Sequence, residues 1–149
     1  MYYYPIFLDL RSKPVLVVGG GKVALRKVKG LLQARARVTV IAPESVEELR
    51  ALPLTAIERV YQTGDCMGQT LVFATTNSRA VNAQIARDAA ALGIPSNIAD
   101  APGECGFIVP ARIAEADFQI AVSTGGTDPR RAVAIRNRIK LMLGLLAQV

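Results

Sequence analysis

The sequence of residues 14–32, PVLVVGGGKVALRKVKGLL, decides the fold. Val15 to Val18 form a continuous apolar run, which is typical of a strand buried on both faces of a sheet. The run ends in three glycines, and apolar residues then recur at helical spacing, with Arg and Lys on the opposite side. This pattern predicts a buried strand, a tight glycine turn and an amphipathic helix, in that order.

The glycine turn matches G-x-G-x-x-G/A, with Gly19, Gly21 and Ala24 at the defining positions. The first position makes the turn, the second lets the backbone approach a pyrophosphate, and the third allows close packing of helix on strand. Amides at the helix start would face the phosphates, so Gly19, Gly20 and Gly21 are candidate cofactor-binding residues. A plain strand-to-helix turn could use the same glycines without binding a ligand.

The next apolar run, Val38 to Ile41, predicts a second strand, and Glu44 lies just beyond it. An acidic residue near this point meets the adenosine ribose in NAD-binding folds. Because no Arg or Lys follows the strand end to receive a 2′-phosphate, the sequence favours NAD over NADP. Glu44 could equally be a solvent-exposed acid before a short helix over Ser45 to Arg50, for which Ser45 is the expected N-cap.

Further strands alternate with helices along the first 105 residues. We expect strands at 56–61, 71–74 and 95–99 and a helix that Ser78 caps. The apolar segment at 2–10 is expected to pack on the sheet as a leading strand or as a cover. This order predicts an α/β fold, a Rossmann-like doubly wound parallel sheet whose ligands bind beyond the carboxyl ends of the strands.

Polar residues follow two of these strands at that edge of the sheet. Thr75 and Thr76 come after the fourth strand and could touch the cofactor, although polar residues are ordinary at strand ends. Asp100 comes after the fifth strand, beside the expected nicotinamide position. An Asx-turn before Pro102 is the alternative role for Asp100.

The pattern changes at Gly106. Residues 107–114 and 118–124 predict an antiparallel hairpin, and Asp128 is the expected cap of a last helix that starts at Pro129. We therefore expect a dinucleotide-binding domain over residues 1–105 and a dimerisation region over residues 106–149. A hairpin and one helix are too small to bury a core alone, so we expect a homodimer. The helix face expected to be buried consists of Ala132, Ile135, Ile139, Met142 and Leu146, with Met142 as a core residue.

Composition narrows the functional classes. The 149 residues contain no histidine, which excludes Ser-His-Asp and Cys-His catalysis. Cys66 and Cys105 have no paired spacing, so we expect free thiols and no metal site. No membrane-spanning or signal-like stretch is present, which favours a cytoplasmic location. The net charge of +6 favours a polyanionic partner, but with only 5% aromatic residues a nucleic acid is not expected.

A set of motifs in this order resembles the siroheme synthase N-terminal region, the precorrin-2 dehydrogenase and sirohydrochlorin ferrochelatase family. The resemblance implies NAD-dependent oxidation of precorrin-2 to sirohydrochlorin, a homodimer, and in some members insertion of iron to give siroheme. The motifs are PIFLDLR (5–11), VLVVGGGKVALRK (15–27), RVTVIAPE (37–44), ATTN (74–77), NIADAP (97–102), FIVPA (107–111) and AVSTGGTDP (121–129).

The resemblance also implies roles for single residues. It assigns the family's cofactor contacts to Lys22, Val23, Pro43 and Glu44, and its proposed catalytic aspartate to Asp100. The family's substrate carries carboxylate arms around a macrocycle, which suits the basic residues of the last helix and its glycine-rich start.

Ser123, Thr124 and Gly125, in that glycine-rich loop, are the candidate substrate-binding residues. Their hydroxyls could equally end a strand and support a turn. A different class of function also fits the Rossmann pattern, namely a non-catalytic module that senses NAD or another nucleotide and regulates a partner. Such a module would bind the nucleotide without any role for Asp100.

Overall fold

The computed structural model describes residues 3–146, which form two compact units. The larger unit comprises residues 6–107, and the smaller comprises residues 3–5 together with 108–146. The domain boundary predicted between residues 105 and 106 lies two residues before the point where the units separate. Residues 1, 2 and 147–149, which the predicted domains include, lie outside the described residues.

The larger unit is built on five parallel strands, β1 (Pro14–Val18), β2 (Arg37–Ile41), β3 (Thr55–Ile57), β4 (Leu71–Ala74) and β5 (Ser96–Ile98). Their order across the sheet is β3-β2-β1-β4-β5. Val18 at the end of β1 pairs with Ile41 on one side and Ala74 on the other, so these three strands end at the same level. From β1 the chain adds β2 and β3 on one side of the sheet and then β4 and β5 on the other, so the strand order reverses between β1 and β4. In a doubly wound sheet, ligands bind at this reversal, beyond the carboxyl ends of the strands.

Helices cover both faces of this sheet, namely α1 (Lys22–Gln33), α2 (Glu47–Arg50) and α3 (Arg79–Ala91). Because side chains alternate along a strand, Val15 and Val17 pack in the layer of α1 and α2, whereas Leu16 and Val18 pack in the layer of α3. β1 is thus buried on both faces, as its apolar run predicts, and the predicted Rossmann-like parallel sheet is confirmed. Ser78 caps α3 as predicted, since its hydroxyl accepts the Val81 N–H at 3.4 Å.

The predicted strand at 56–61 is wrong beyond Ile57, where the chain leaves the sheet. Arg59 forms a two-pronged ion pair with Asp65, with Nη1 2.8 Å from Oδ2 and Nη2 2.7 Å from Oδ1. Tyr61 then packs beside Cys66 in the apolar layer of α3. These contacts between residues six or fewer apart hold the segment as a loop.

The short helix after β2 starts later than predicted, and Ser45 does not cap it. Val46 occupies the N-cap position, and no side chain bonds the first turn of α2. The Val46 N–H instead donates to the Gly20 carbonyl at 2.9 Å. The loop is therefore held against the glycine turn, and the helix begins at Glu47.

The apolar N-terminal segment does not form the leading strand that its sequence suggests. Residues 3–10 contain no strand, and of them Leu10 is buried. Ile6 and Phe7 are 63% and 70% exposed. Tyr2 lies outside the described residues.

The smaller unit contains the predicted hairpin and helix, β6 (Ala111–Ala114), β7 (Gln119–Val122) and α4 (Pro129–Leu146). Asp128 caps α4 as predicted, because its Oδ1 accepts the Arg131 N–H at 2.8 Å. Within this chain the apolar face predicted for α4 is covered only near its start, among the described residues: Ala132 is buried, whereas Met142 is 63% exposed. Burial of this face against a partner subunit stays a prediction. Two four-residue strands are too short to cover 18 helical residues, and the side chain of Leu146 lies outside the described part of the chain.

Candidate active site

The glycine turn joins the end of β1 to the start of α1. Gly19 has a φ of +121°, and its N–H donates to the Ile41 carbonyl at 2.9 Å. A Cβ at this position would lie 2.6 Å from the Oγ1 atom of Thr75 and 2.7 Å from its carbonyl oxygen. Gly19 is therefore required both by its backbone conformation and by close contact with the residue that follows β4.

Gly20 and Gly21 have different surroundings. A Cβ on Gly20 would overlap the carbonyl oxygen of Glu44, so this glycine lets the loop after β2 approach the turn. A Cβ on Gly21 would meet no atom within 4 Å, and the φ of −90° at this residue suits any amino acid. Protein packing thus leaves the space beside Gly21 open, at the position where the motif brings the backbone to a pyrophosphate.

The first turn of α1 has free hydrogen-bonding capacity for a ligand. Gly21 is the N-cap residue, and no side chain caps the helix. The exposed residues Lys22 and Val23 form the first turn, whose amides make up the electropositive end of the helix. With the open space at Gly21, these residues fit the phosphate groups of a dinucleotide.

Pro43 and Glu44 are exposed and follow β2. The Glu44 backbone touches the glycine turn at Gly20, so the structure brings the two predicted parts of the cofactor site together. The carboxylate of Glu44 makes no hydrogen bond within residues 3–146. It is therefore available to accept hydrogen bonds from ribose hydroxyls.

Thr75 and Thr76 use their hydroxyls within the protein. Thr75 is buried, and its hydroxyl donates to the Val18 carbonyl at 2.8 Å, which ties the ends of β1 and β4. The Thr76 hydroxyl lies 2.7 Å from Oδ1 of Asn82, a residue of α3. Both threonines are at the predicted edge of the sheet, and their contact with a cofactor stays a prediction.

Asp100 lies two residues beyond the end of β5, and its side chain is 38% exposed. Its Oδ1 accepts a hydrogen bond from Asn82 Nδ2 at 2.9 Å and one from Arg79 Nη1 at 3.1 Å. Arg79 also donates to Oε2 of Glu104 at 2.6 Å, so a single guanidinium joins two carboxylates. The carboxylate of Asp100 accepts no backbone N–H within residues 3–146, and the Asx-turn alternative is therefore not observed.

Sequence reasoning missed Asn82 and Arg79, the two α3 residues that hold Asp100. Asn82 is fully buried, three residues before Ile85 and seven before Ala89, which are also fully buried. Its position on the buried side could have been read from helical periodicity, since an uncharged polar residue among buried apolar ones must find partners. Arg79 carries no such signal, because an Arg in a first helical turn is normally solvent-exposed.

Ser123, Thr124 and Gly125 belong to the smaller unit. The Ser123 hydroxyl accepts the Gly125 N–H at 3.0 Å, and the Thr124 hydroxyl donates to the Asp128 carbonyl at 2.7 Å. Gly125 has a φ of +68°, which a glycine adopts without strain. The hydroxyls thus support the turn into α4, and substrate binding by this loop stays a prediction.

Three further findings concern the cysteines, metal binding and membrane-spanning helices. Cys66 and Cys105 are free thiols, as expected. Within residues 3–146, no group of three His, Cys, Asp or Glu side chains is placed to hold a metal ion. The helices of that part of the chain are too short or too polar to cross a bilayer.

Comparisons with known proteins identify the relatives of this chain. A family model described as "Putative NAD(P)-binding" matches residues 6–111. Siroheme synthase of Methylococcus capsulatus is 46% identical in an alignment of 144 residues that covers 94% of this chain and 30% of that protein. Siroheme synthase of Ectopseudomonas mendocina is 43% identical in an alignment of 142 residues that covers 94% of this chain and 31% of that protein. The chain thus spans about a third of the length of these curated relatives.

A solved structure, that of SirC, precorrin-2 dehydrogenase, is similar with a TM-score of 0.75 at 30% sequence identity. The similarity covers 95% of this chain and 69% of that chain. The nicotinamide dinucleotide cofactor predicted from the glycine motif is confirmed by the family model together with this structure. The chain belongs to the siroheme synthase N-terminal region family.

Proposed function

We propose that this chain is an NAD-dependent dehydrogenase that oxidises precorrin-2 to sirohydrochlorin in siroheme biosynthesis. One observation carries the proposal: the open glycine turn after β1 and the carboxylate of Asp100 after β5 lie at the same edge of one sheet. The relatives named siroheme synthase and precorrin-2 dehydrogenase support the reaction.

The cofactor site favours NAD over NADP. NAD, when bound, supplies the acceptor for the hydride that leaves the substrate. The open space at Gly21 would give the pyrophosphate room, and the amides of the first turn of α1 would donate to its oxygens. Glu44 presents a carboxylate that accepts from ribose hydroxyls and would repel a 2′-phosphate.

Asp100 is the proposed general base. Oxidation of the substrate would remove a hydride and a proton, so the reaction needs a group on the protein that accepts the proton. Asp100 lies where the nicotinamide end of the cofactor is expected, beyond the carboxyl ends of β4 and β5. The contacts with Asn82 and Arg79 use Oδ1, which leaves Oδ2 to accept the proton.

The smaller unit is proposed to bind the tetrapyrrole and to form a homodimer. Ser123, Thr124 and Gly125, followed by the basic residues of α4, suit a substrate with many carboxylates. We place the protein in the cytoplasm. Ferrous ion would be a second substrate, and the carboxylate of Asp100 is suited to take up the pyrrole protons that iron displaces.

An anaerobic assay of NADH formation from precorrin-2, with and without ferrous or cobalt ion, tests these proposals. We expect NADH to form without added metal, and consumption of sirohydrochlorin with metal would establish the chelatase. NAD binding without turnover would reject the dehydrogenase and favour the nucleotide-sensing alternative. Turnover that prefers NADP would contradict the role of Glu44.

A further inference from the structure

We propose that Asn82 is a positioning residue for Asp100, which fixes the carboxylate through Oδ1 and leaves Oδ2 as the oxygen that takes the proton. The inference rests on the proposed function, in which Asp100 is the general base. Asn82 would not touch substrate or cofactor. It would act through the orientation of Asp100.

The amide group of Asn82 has its full set of hydrogen bonds. Nδ2 donates to the Thr76 carbonyl at 3.1 Å and to Oδ1 of Asp100 at 2.9 Å. Oδ1 of Asn82 accepts from the N–H of Thr76 at 3.2 Å and lies 2.7 Å from its hydroxyl. A flipped amide would place its oxygen against two acceptors, so these contacts allow one orientation.

The complete burial of Asn82 makes this orientation rigid. The side chain has 0% exposure and lies on a helix packed against the sheet, so water does not compete for its hydrogen bonds. The side chain of Asp100 is itself 38% exposed, and it would sample several rotamers without a buried partner. Asn82 therefore supplies the rigid contact for a group that must also reach the substrate.

Two charged groups face Asp100 besides this amide. Arg79 at the start of α3 donates to the same Oδ1, and Glu104 on the turn after β5 shares that guanidinium. Arg79 is about half exposed, so its charge is well solvated and holds the Asp100 carboxylate less firmly than the buried amide does. Glu104, also about half exposed, competes for the same guanidinium.

Asn82 also connects two parts of the proposed site. It joins Thr76, in the loop after β4, to Asp100, in the loop after β5, and both loops lie at the cofactor edge of the sheet. A shift of either loop therefore moves the other. Asn82 therefore helps to set the separation between the base and the proposed nicotinamide position.

The test is a double-variant cycle on anaerobic NADH formation, with Asn82→Ala, Asp100→Asn and the two combined. We expect kcat to fall about tenfold in Asn82→Ala and about 10²-fold or more in Asp100→Asn. The double variant should be no slower than Asp100→Asn alone, because Asn82 has nothing left to position. A double variant slowed by the product of the two effects would overturn the proposal.

Asn97→Ala is the matched control. Asn97 is another buried asparagine, whose Nδ2 donates to the Phe107 carbonyl at 3.0 Å and makes no contact with Asp100. Asn97→Ala should lower the melting temperature, and any effect on kcat should be the same whether residue 100 is Asp or Asn. If Asn82→Ala does not fold, Asn82→Ser keeps a hydroxyl for the Thr76 backbone but is too short to reach Asp100, and the same cycle applies.

A measurement without turnover separates this proposal from the proposed function. In NMR spectra the side-chain NH₂ signals of Asn82 should move in Asp100→Asn and stay near their wild-type positions in Glu104→Gln. Signals that are unaffected by Asp100→Asn would overturn the positioning role. A wild-type protein with the expected spectra but no NADH formation would reject the proposed function and support the Asn82–Asp100 contact.

Discussion

The three consecutive glycines have three separate tasks, and only one of them concerns a ligand. Gly19 has a left-handed backbone and touches Thr75, and Gly20 makes room for the backbone of Glu44. Gly21 has neither constraint, since its φ is −90° and no atom lies near its missing Cβ. A substitution at Gly21 can therefore affect ligand binding while the fold persists.

Gly21→Val is expected to weaken NAD binding by about 100-fold or more, because the branched side chain enters the space proposed for the pyrophosphate. Calorimetry on the folded variant measures the affinity. Gly144→Val is the control, since a Cβ on that helical glycine of the smaller unit also meets no atom within 4 Å. Unchanged NAD affinity in Gly21→Val would contradict the cofactor site.

Asp100→Asn is expected to reduce NADH formation by about 10²-fold or more, because an amide cannot take up the proton. The amide oxygen can still accept from Asn82 and Arg79, so NAD affinity and melting temperature should stay near the wild-type values. Near-normal turnover with reduced stability would show that Asp100 is structural. If dehydrogenation survives and iron insertion is lost, Asp100 serves the chelatase alone.

At the residue level, the sequence predicts what a local motif specifies and misses what a tertiary contact specifies. The strand, the glycine turn and the helix start lie within about ten residues, so their pattern alone predicts the edge of the sheet at which the cofactor binds. The contact between Asn82 and Asp100 joins residues 18 positions apart through the packing of α3 on the sheet. The partners of the buried amide become known only when that packing is known.

At the level of elements, segments with a strong apolar pattern were predictable, and segments that tertiary contacts end or hold were not. β1, β4 and α3 have strong apolar patterns that agree with their packing, whereas β3 ends at Ile57 because of ion pairing and burial further along the chain. The connection between β3 and β4 contains no helix, and Tyr61 and Cys66 fill the apolar layer of α3 instead. A loop that contributes to the core in this way has no periodicity to detect.

Tyr61→Phe tests how much the Tyr61 hydroxyl, in the connection between β3 and β4, contributes to the stability of the fold. The Tyr61 hydroxyl donates to Oδ2 of Asp88 at 2.8 Å and lies 3.2 Å from Cys66 Sγ, so its removal should cost about 1 kcal/mol of unfolding free energy at neutral pH. Urea unfolding measures the difference. A variant as stable as the wild type would show that the hydroxyl contacts of Tyr61 do not stabilise the loop.

The same variant has an expected pH dependence. Burial, with hydrogen bonds to Cys66 and Asp88, raises the pKa of Tyr61, so the unfolded chain loses this proton first as the pH rises. The wild type should therefore lose stability above about pH 10, and Tyr61→Phe should lose less over the same range. Burial also raises the pKa of the Cys66 thiol, and that contribution has the same sign and remains in both proteins. Equal losses in the two proteins would contradict the role of the phenol.

At the scale of the whole molecule, the two units differ in how well they bury apolar surface. The larger unit has an apolar layer on each face of its sheet. In the smaller unit, the buried apolar side chains among those described are Ile113 and Ala132, while Ile135 and Met142, on the predicted apolar face of α4, are exposed. Sequence periodicity predicts an apolar face on α4, but it cannot distinguish a face that packs within the chain from one that packs on a partner.

A dimer through α4 is the arrangement that would cover this face, because a second copy presents the same apolar residues. Sedimentation velocity at micromolar concentration should show a dimer, and Met142→Glu should convert it to a monomer, since a buried charge without a partner is costly. Met67→Glu is the matched control, because Met67 is 68% exposed, close to the 63% of Met142, and lies in the larger unit. It should leave the dimer intact. A wild-type monomer, or a Met142→Glu protein that remains dimeric, would show that α4 is not the interface.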